Sequence, residues 1–447
     1  MKKRTAFVKQ LLILNYSLLI LTSCSVTKQI AQSAKEDVLD AKALQTAHVG
    51  ISIFDPSTNK YLYNYQGDKY FVPASNTKLP TCYAAMKYLG DSLVSFLIKE
   101  TEEEIRVKAC GDPSFLNDEF TSQPILQYLK ASDKKIVFEY NLKDKIEKYG
   151  SGWSWNDYED YYMAERTAMP VYGNIISFEI KEKKIVASPP IIKSPFFNEP
   201  MMQLLGVGNE FKISREEDNN KFYFVSDKGS NFKKQEMPFK TKMGLTNFVF
   251  LKDKLEKPID KVQLFFGTDF LGYKKIHSQP TDSLLKLLMH RSDNFFAEQS
   301  LLMVSNEMLG VMNDEKIIDT ILKTDFKDLP QKPRWVDVSG LSRYNLFTPQ
   351  DFVTILNKMK NEFGMERIKV ILATGGEGTI SSYYKADSGY IYGKTGTLSG
   401  VVAFSGFLYT KKGKLLIFST LVNNHQATST EVRKAMEKFL QGVRNRY

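Results

Sequence analysis

Ser75 and Lys78 stand three positions apart in the run Pro73-Ala74-Ser75-Asn76-Thr77-Lys78-Leu79. On a helix that spacing puts both side chains on one face, within reach of a proton transfer. A serine hydroxyl is a weak nucleophile and needs a base. A lysine can serve only when neutral, and its free pKa is about 10.4, so burial or a second cation must favour the neutral amine. Spacing alone decides nothing, because the same Ser-x-x-Lys recurs at Ser25/Lys28, Ser57/Lys60, Ser132/Lys135, Ser230/Lys233, Ser283/Lys286 and Ser382/Lys385. Context singles out Ser75: it follows Pro73-Ala74 and opens a helical pattern through Ala84, Ala85, Met86 and Leu89. Pro80 is awkward there, so the helix must begin near residue 76 or 77, or bend. Two more triplets follow in order, each occurring once: Ser292-Asp293-Asn294 and Lys394-Thr395-Gly396.

The elements that must position these residues are partly readable. Residues 48–54 and 61–65 alternate around Asp55-Pro56-Ser57-Thr58, the pattern of a β-hairpin. Residues 390–393, 401–409 and 415–422 read as three strands, with a turn at Lys411-Lys412-Gly413-Lys414. Residues 281–304 read as helical, and another helix starts after Thr348-Pro349. A final helix carries Val432, Met436, Phe439, Leu440 and Val443 on one face, and Thr428 and Glu431 have capping-box spacing at its start. The early hairpin and the late strands are expected to share one antiparallel sheet. The texture of residues 99–257, with short apolar runs and many turn signals, is that of a mostly β insert.

Composition removes several classes of function. Only four histidines are present (His48, His277, His290, His425), widely scattered, so catalysis is expected to rest on other side chains. Three cysteines exclude a disulfide-stapled scaffold, and no Cys/His cluster has zinc spacing; Cys82 and Cys110 read as separate buried thiols. No residue set points to a cofactor or a metal. The net charge of +10 comes from lysines interspersed with acids, as in Lys252-Asp253-Lys254-Leu255-Glu256-Lys257, which is a solvated surface and not a nucleic-acid site.

The first residues read as an address. Lys2-Lys3-Arg4 precedes an apolar stretch, 11–21, too short to span a bilayer comfortably, and the pattern is that of a secretory signal peptide. It ends in Leu21-Thr22-Ser23-Cys24, which resembles the bacterial lipobox. That resemblance implies lipidation of Cys24 and a membrane tether. Ser25 follows the cysteine where the inner-membrane retention pattern has Asp, so the expected location is the outer membrane, facing the periplasm. An ordinary signal peptide with an incidental cysteine is the alternative.

Ser-x-x-Lys, Ser-Asp-Asn and Lys-Thr-Gly in this order form the motif set of penicillin-binding proteins and class A β-lactamases. The sequence further resembles the low-molecular-mass class C penicillin-binding proteins, the D-alanyl-D-alanine carboxypeptidase/endopeptidases of the penicillin-binding protein 4 type. Gly111-Asp112-Pro113-Ser114, the stretch from Gly150 through Trp153 and Trp155 to Asp157, Ala297-Glu298, the stretch from Asp337 to Arg343, and Gly378-Thr379-Ile380 are similar to that family's further blocks. The gap of 217 residues between Ser75 and Ser292 fits the family's inserted domains and is far longer than in class A β-lactamases. Val338 departs from a family glycine, and Met169-Pro170-Val171-Tyr172-Gly173 from a run of small residues.

The resemblance implies an α+β fold: a penicillin-binding/β-lactamase-like transpeptidase domain, an antiparallel sheet flanked by helices, split by the insert. The expected organisation is a signal peptide (1–24), a linker (25–42), a peptidase domain (43–98 and 258–447) and an insert (99–257). It also implies roles. Ser75 is the nucleophile, Lys78 its base and Ser292 a proton relay. Asn294 holds the substrate backbone, Lys394 and Thr395 suit a substrate C-terminal carboxylate, and Gly396 and Thr397 join them as substrate-binding residues. The N–H groups of Ser75 and Thr397 form the oxyanion hole. Peptidoglycan stem peptides are the implied substrates and β-lactams the acylating inhibitors. A β-lactamase-like hydrolase and an inactive peptidoglycan-binding lipoprotein stay open beside it. For Trp153 and Trp155, packing is favoured over glycan stacking; for Asp337 and Arg343, bracing of a loop is favoured over substrate contact.

Overall fold

The computed structural model describes residues 27–181, 184–191, 211–226, 234–257, 259, 261–267 and 270–447. The expected signal peptide and lipidation site, Cys24 included, lie outside the described residues. The chain divides into two compact units. The first comprises Met1–Leu79, Asp328–Arg334 and Asn345–Tyr447; the second comprises Pro80–Lys327 and Trp335–Tyr344.

The first unit is built on a six-stranded sheet. In spatial order its strands are Ala373–Thr374, Ile391–Leu398, Val401–Tyr409, Leu415–Asn423, His48–Asp55 and Lys60–Tyr65. Every pair is antiparallel. The early hairpin therefore closes on the last strand, with His48 opposite Asn423 and Phe54 opposite Ile417. One face carries Ile51, Ile53, Val402, Phe404, Leu408, Phe418 and Val422 into a core with the C-terminal helix Ser429–Arg446. That helix begins where the sequence placed it, with Thr428 and Glu431 forming a capping box. Its Val432, Met436, Phe439, Leu440 and Val443 are all buried. At about 1.5–3 kcal/mol each, they contribute on the order of 10 kcal/mol, the size of a domain's whole net stability. The helix is therefore integral to this unit.

Residues 27–39 form a helical segment ending in a π-turn, Lys35–Leu39, followed by a short turn, Lys42–Leu44. This is the stretch expected as a polar linker. Its Ile30, Ala34, Val38 and Leu44 are buried in the same core, and Asp37 pairs with Lys438 at 2.9 Å. The polar composition hid one apolar stripe at helical spacing. Helix Pro349–Ile371, capped by Thr348 and Asp351, also packs against the sheet.

The second unit holds a five-stranded sheet in the order Lys261–Phe265, Lys135–Asn141, Glu104–Ala109, Ser92–Glu100, Lys274–Pro280. Its first three strands are parallel to one another, which requires crossovers such as helix Pro124–Ala131. The sheet draws strands from both sides of residues 99 and 257. A three-stranded antiparallel sheet, a two-stranded hairpin and helix Leu245–Leu255 complete a mixed α/β body. The stretch 281–304 is helical as expected, in two helices, Thr281–Arg291 and Asn294–Leu309, with a break at Ser292-Asp293. Cys82 and Cys110 are separate free thiols; burial pushes Cys110 up to about 11. Among the described residues, no helix is long and apolar enough to cross a membrane.

Candidate active site

Ala74–Thr77 forms a 3-10 turn that runs straight into helix Lys78–Tyr88. Asn76 N donates to Pro73 O at 3.1 Å and Thr77 Oγ1 to Ala74 O at 2.9 Å, closing the turn. Pro80 falls in the first turn of the α-helix, where its missing N–H has no intrahelical acceptor to lose. Ala74 has φ +47°, the left-handed region, at a residue that carries a Cβ. Such a conformation costs about 1–3 kcal/mol and persists only where the surroundings enforce it. Here they do, since Ala74 is fully buried and immediately precedes Ser75.

Lys78 is fully buried, and its Nζ donates to Ser75 Oγ at 3.0 Å. That is hydrogen-bond reach, the geometry a general base requires. The turn is held onto the sheet by polar contacts. Asn76 Nδ2 donates to Ser405 Oγ at 2.7 Å, and Ser405 Oγ donates to Ser419 Oγ at 2.8 Å. Lys394 lies opposite Ser405, Ser405 opposite Ser419, and Ser419 opposite Ser52, so three small hydroxyls on adjacent strands stand in register with Lys394.

Lys394 is also fully buried, and its Nζ donates to Thr395 O at 2.7 Å. Burial, then the positive charges of Lys78 and Arg433, hold its amine well below the usual lysine range. Thr395 Oγ1 donates to Thr379 Oγ1 at 2.7 Å, which ties the Gly378-Thr379-Ile380 block to this strand. Thr397 Oγ1 accepts a hydrogen bond from Arg433 at 2.6 Å. Arg433 was invisible to motif reading, because it belongs to no triplet; its only sequence signal is its place beside Val432 on the amphipathic C-terminal helix.

Gly396 has a steric reason. A Cβ there would lie 2.6 Å from Pro73 O and 2.9 Å from Ser75 N, both backbone atoms that cannot swing aside. Replacing Gly396 by alanine should push the strand and the turn apart by a fraction of an ångström to an ångström. The expected result is a loss of about 100-fold in the acylation rate by penicillin, with the circular dichroism spectrum retained. A wild-type rate would remove this account of the glycine.

Ser292, Asp293 and Asn294 belong to the second unit. Ser292 caps helix Thr281–Arg291 in the left-handed region, at φ +61°. Asp293 is the N-cap of the next helix, accepting from Phe296 N at 2.8 Å, and Asn294 is that helix's first residue. The middle acid of the triplet is thus a capping residue.

One turn on, Glu298 is buried against Arg166 at 3.2 Å and accepts from Ser339 N at 3.0 Å. Arg166 also pairs with Asp314 at 2.6 Å. Asp337 organises the loop that follows it, accepting from Gly340 N, Ser342 N and the Trp153 indole. Bracing is therefore what Asp337 and Trp153 do in this unit, whereas Trp155 is 75% exposed. Burial first, against the pull of Arg166 and with the repulsion of Asp337 and Asp314, raises the Glu298 carboxyl from 4.5 to about 7. Between those values the folded protein keeps a proton that the unfolded chain has released. Stability should therefore fall as pH rises from about 4.5 through 7. Urea midpoints at pH 5 and pH 7.5 should show this slope, and Glu298→Gln should flatten it; an unchanged slope in the variant would place the titration elsewhere.

A model of the D-Ala-D-Ala carboxypeptidase 3 (S13) family matches residues 30–214 and 273–443. The chain belongs to this family. The D-alanyl-D-alanine carboxypeptidase DacB of Haemophilus influenzae is 23% identical over 458 residues, covering 92% of each chain. The penicillin-sensitive carboxypeptidase A of Dictyostelium discoideum is 22% identical, covering 87% of this chain and 85% of its own. The crystal structure of penicillin binding protein 4 (dacB) from Haemophilus influenzae superposes with a TM-score of 0.69 at 20% identity, over 93% of this chain and 98% of that one. The chain is thus a serine D-Ala-D-Ala carboxypeptidase of the S13 family, with the α+β fold expected from its motifs.

Proposed function

We propose that this S13 family member cleaves the peptide bond on the carboxyl side of the penultimate D-Ala through an ester on Ser75. The observation that carries the reading is the 3.0 Å contact between Lys78 Nζ and Ser75 Oγ, with the lysine fully buried. Lys394, equally buried, is held below the usual lysine range by burial and by the positive charges of Lys78 and Arg433. A neutral amine on Lys78 can then take the Ser75 proton as Oγ attacks the carbonyl carbon.

The negative charge that develops on the carbonyl oxygen is met by the N–H groups of Ser75 and Thr397. The amide C–N bond breaks, and the leaving amine takes a proton that Ser292 relays from Lys78. Asn294 holds the substrate's peptide backbone, and the strand from Lys394 to Thr397 pairs with the extended stem. Water then attacks the ester carbonyl, releasing the shortened peptide and restoring Ser75. A β-lactam follows the first half of this course and stalls as the acyl-enzyme. Supporting this reading, a relative of the same fold, penicillin binding protein 4 from Haemophilus influenzae, has been crystallised in complex with a β-lactam.

The address is part of the proposal: export by residues 1–24, lipidation at Cys24, and an outer-membrane tether facing the periplasm. What supports it is the run Leu21-Thr22-Ser23-Cys24-Ser25 behind a basic n-region and an apolar stretch.

The test is intact mass over time after mixing the purified protein with a penicillin. One stable adduct per chain is the expected result. A short-lived adduct with rapid penicillin turnover would move the reading to a β-lactamase-like hydrolase. No adduct on a folded protein would leave a peptidoglycan-binding lipoprotein.

A further inference from the structure

The second unit carries a cavity to which the proposed mechanism gives no role. It measures about 360 Å³, toward the lower end of the range in which small-molecule sites fall. Its lining includes four cations, Lys148, Arg166, Lys240 and Lys242, against two acids, Glu165 and Asp218. All six belong to the second unit, and none falls in the triplets of Ser75, Ser292 or Lys394. The inner wall is built rather than merely exposed, since Glu165, Arg166 and Lys240 are all buried. It is also stitched to helix Asn294–Leu309. Arg166 pairs with Glu298, Thr167 N donates to Gln299 Oε1 at 3.2 Å, and Gln299 Nε2 donates back to Thr167 O at 2.9 Å.

The charges on this lining do not balance. Arg166 is answered by Glu298 and Asp314. Lys240 Nζ has Glu165 at 3.4 Å and donates to the Tyr149 hydroxyl at 3.0 Å. Glu165 is shared, because it also accepts from Thr241 N and Thr241 Oγ1 at 2.9 Å each. Burial first, against the pull of Glu165 and with the repulsion of Arg215, holds the Lys240 amine below the usual lysine range. Lys148 and Lys242 are the exposed cations of the lining. Among the described residues neither has a carboxylate partner, and Lys242 Nζ donates to the Asp218 carbonyl oxygen. The backbone there is strained as well. Lys242 and Met243 have φ +50° and +57°, left-handed at residues that carry a Cβ, and Gly244 follows at +90°. Strain of this kind persists where the surroundings enforce it, and it gathers at binding sites. Here it presents Met243, 81% exposed, as part of the lining.

We propose that this cavity is a second, non-catalytic site that binds a carboxylate-bearing peptide of about two residues, the acidic segment of a peptidoglycan stem. Lys148 and Lys242 meet the carboxylates, over a wall made positive by Arg166 and Lys240. The volume favours a peptide over an inorganic ion, because a water molecule's share of liquid is only about 30 Å³. Tyr140 and Met243 in the lining offer apolar surface that an inorganic ion cannot use. The choice of peptide rests on peptidoglycan as the substrate; the site itself does not require Ser75. A second grip on the polymer raises the effective concentration of stems around the enzyme.

The test uses ligands without a D-Ala-D-Ala bond, so that turnover does not intrude. Dissociation constants are measured by calorimetry for acetyl-L-Ala-D-Glu, a dicarboxylate, and for its neutral diamide. The acid should bind as one molecule per chain, more tightly than the diamide by on the order of 10- to 100-fold. Lys148→Gln combined with Lys242→Gln should weaken the acid by about 10-fold. The diamide's constant, the rate of acylation by penicillin and the melting temperature should stay in place. Lys148→Arg with Lys242→Arg should keep the acid's affinity. Absence of acid binding, or acid binding indifferent to the two glutamines, would overturn the site. Inorganic phosphate that binds as tightly as the dipeptide would overturn the peptide assignment. Failure of the nucleophile reading would show separately, as a missing penicillin adduct on the same protein.

Discussion

Alanine at position 75 eliminates the penicillin adduct and lowers peptide hydrolysis by about 10⁴-fold or more, to the background that binding and oxyanion donors alone can supply. The magnitude follows from the chemistry: removing Oγ removes the atom that would form the acyl bond. Thr77 Oγ1 is engaged with Ala74 O, and Asn76 reaches Ser405. The fold should survive, because Ser75 supplies one hydrogen bond to Lys78 and the turn keeps its backbone closures. The measurements are intact mass after penicillin treatment and the melting temperature. An adduct of wild-type yield on the variant would transfer the nucleophile to another residue.

Methionine at position 78 gives the second large effect, a loss of activity with the fold retained. The side chain keeps its length and apolar stem, so the buried site stays filled. The amine and its charge are gone. Acylation should slow by about 10³- to 10⁴-fold, the upper range for loss of a positioned base. The melting temperature should stay close to that of the wild type because the stem still fills the site, and Lys394 should regain basicity once no positive charge can stand at position 78. Stopped-flow acylation and thermal unfolding check the two halves. Equal loss of activity and stability would mean that Lys78 is structural.

The site was legible where the chemistry is local, and illegible where it depends on pairing. Ser75 and Lys78 could be read together because three residues on a turn fix their distance. The two-stranded start and three-stranded end of the chain announced one sheet through their alternation. By contrast, the break between helices at Ser292-Asp293 carries no glycine or proline, and the leucine pattern of 281–304 runs across it. The one available signal was Asp293 as a capping residue. Residues 29–42 read as a polar leader because polar residues dominate by count, although Ile30, Ala34 and Val38 decide where the segment lies. Arg433 and Ser405 owe their positions to sheet register and helix docking, which no motif encodes.

The pairing of His48–Asp55 with Leu415–Asn423 also sets the order in which the protein can be made. A ribosome releases the first of these strands more than three hundred residues before its partner. The second unit is nearly continuous in sequence and can collapse early. The catalytic sheet cannot, because its fourth strand in space is the last one synthesised. Loop closure over such a span is slow, and the edge strands stay unpaired until it happens. A nascent or truncated chain is therefore inert, and the chain becomes an enzyme only after its final 33 residues, Leu415 to Tyr447, have been made. Hydrolytic capacity is withheld by topology until synthesis is complete.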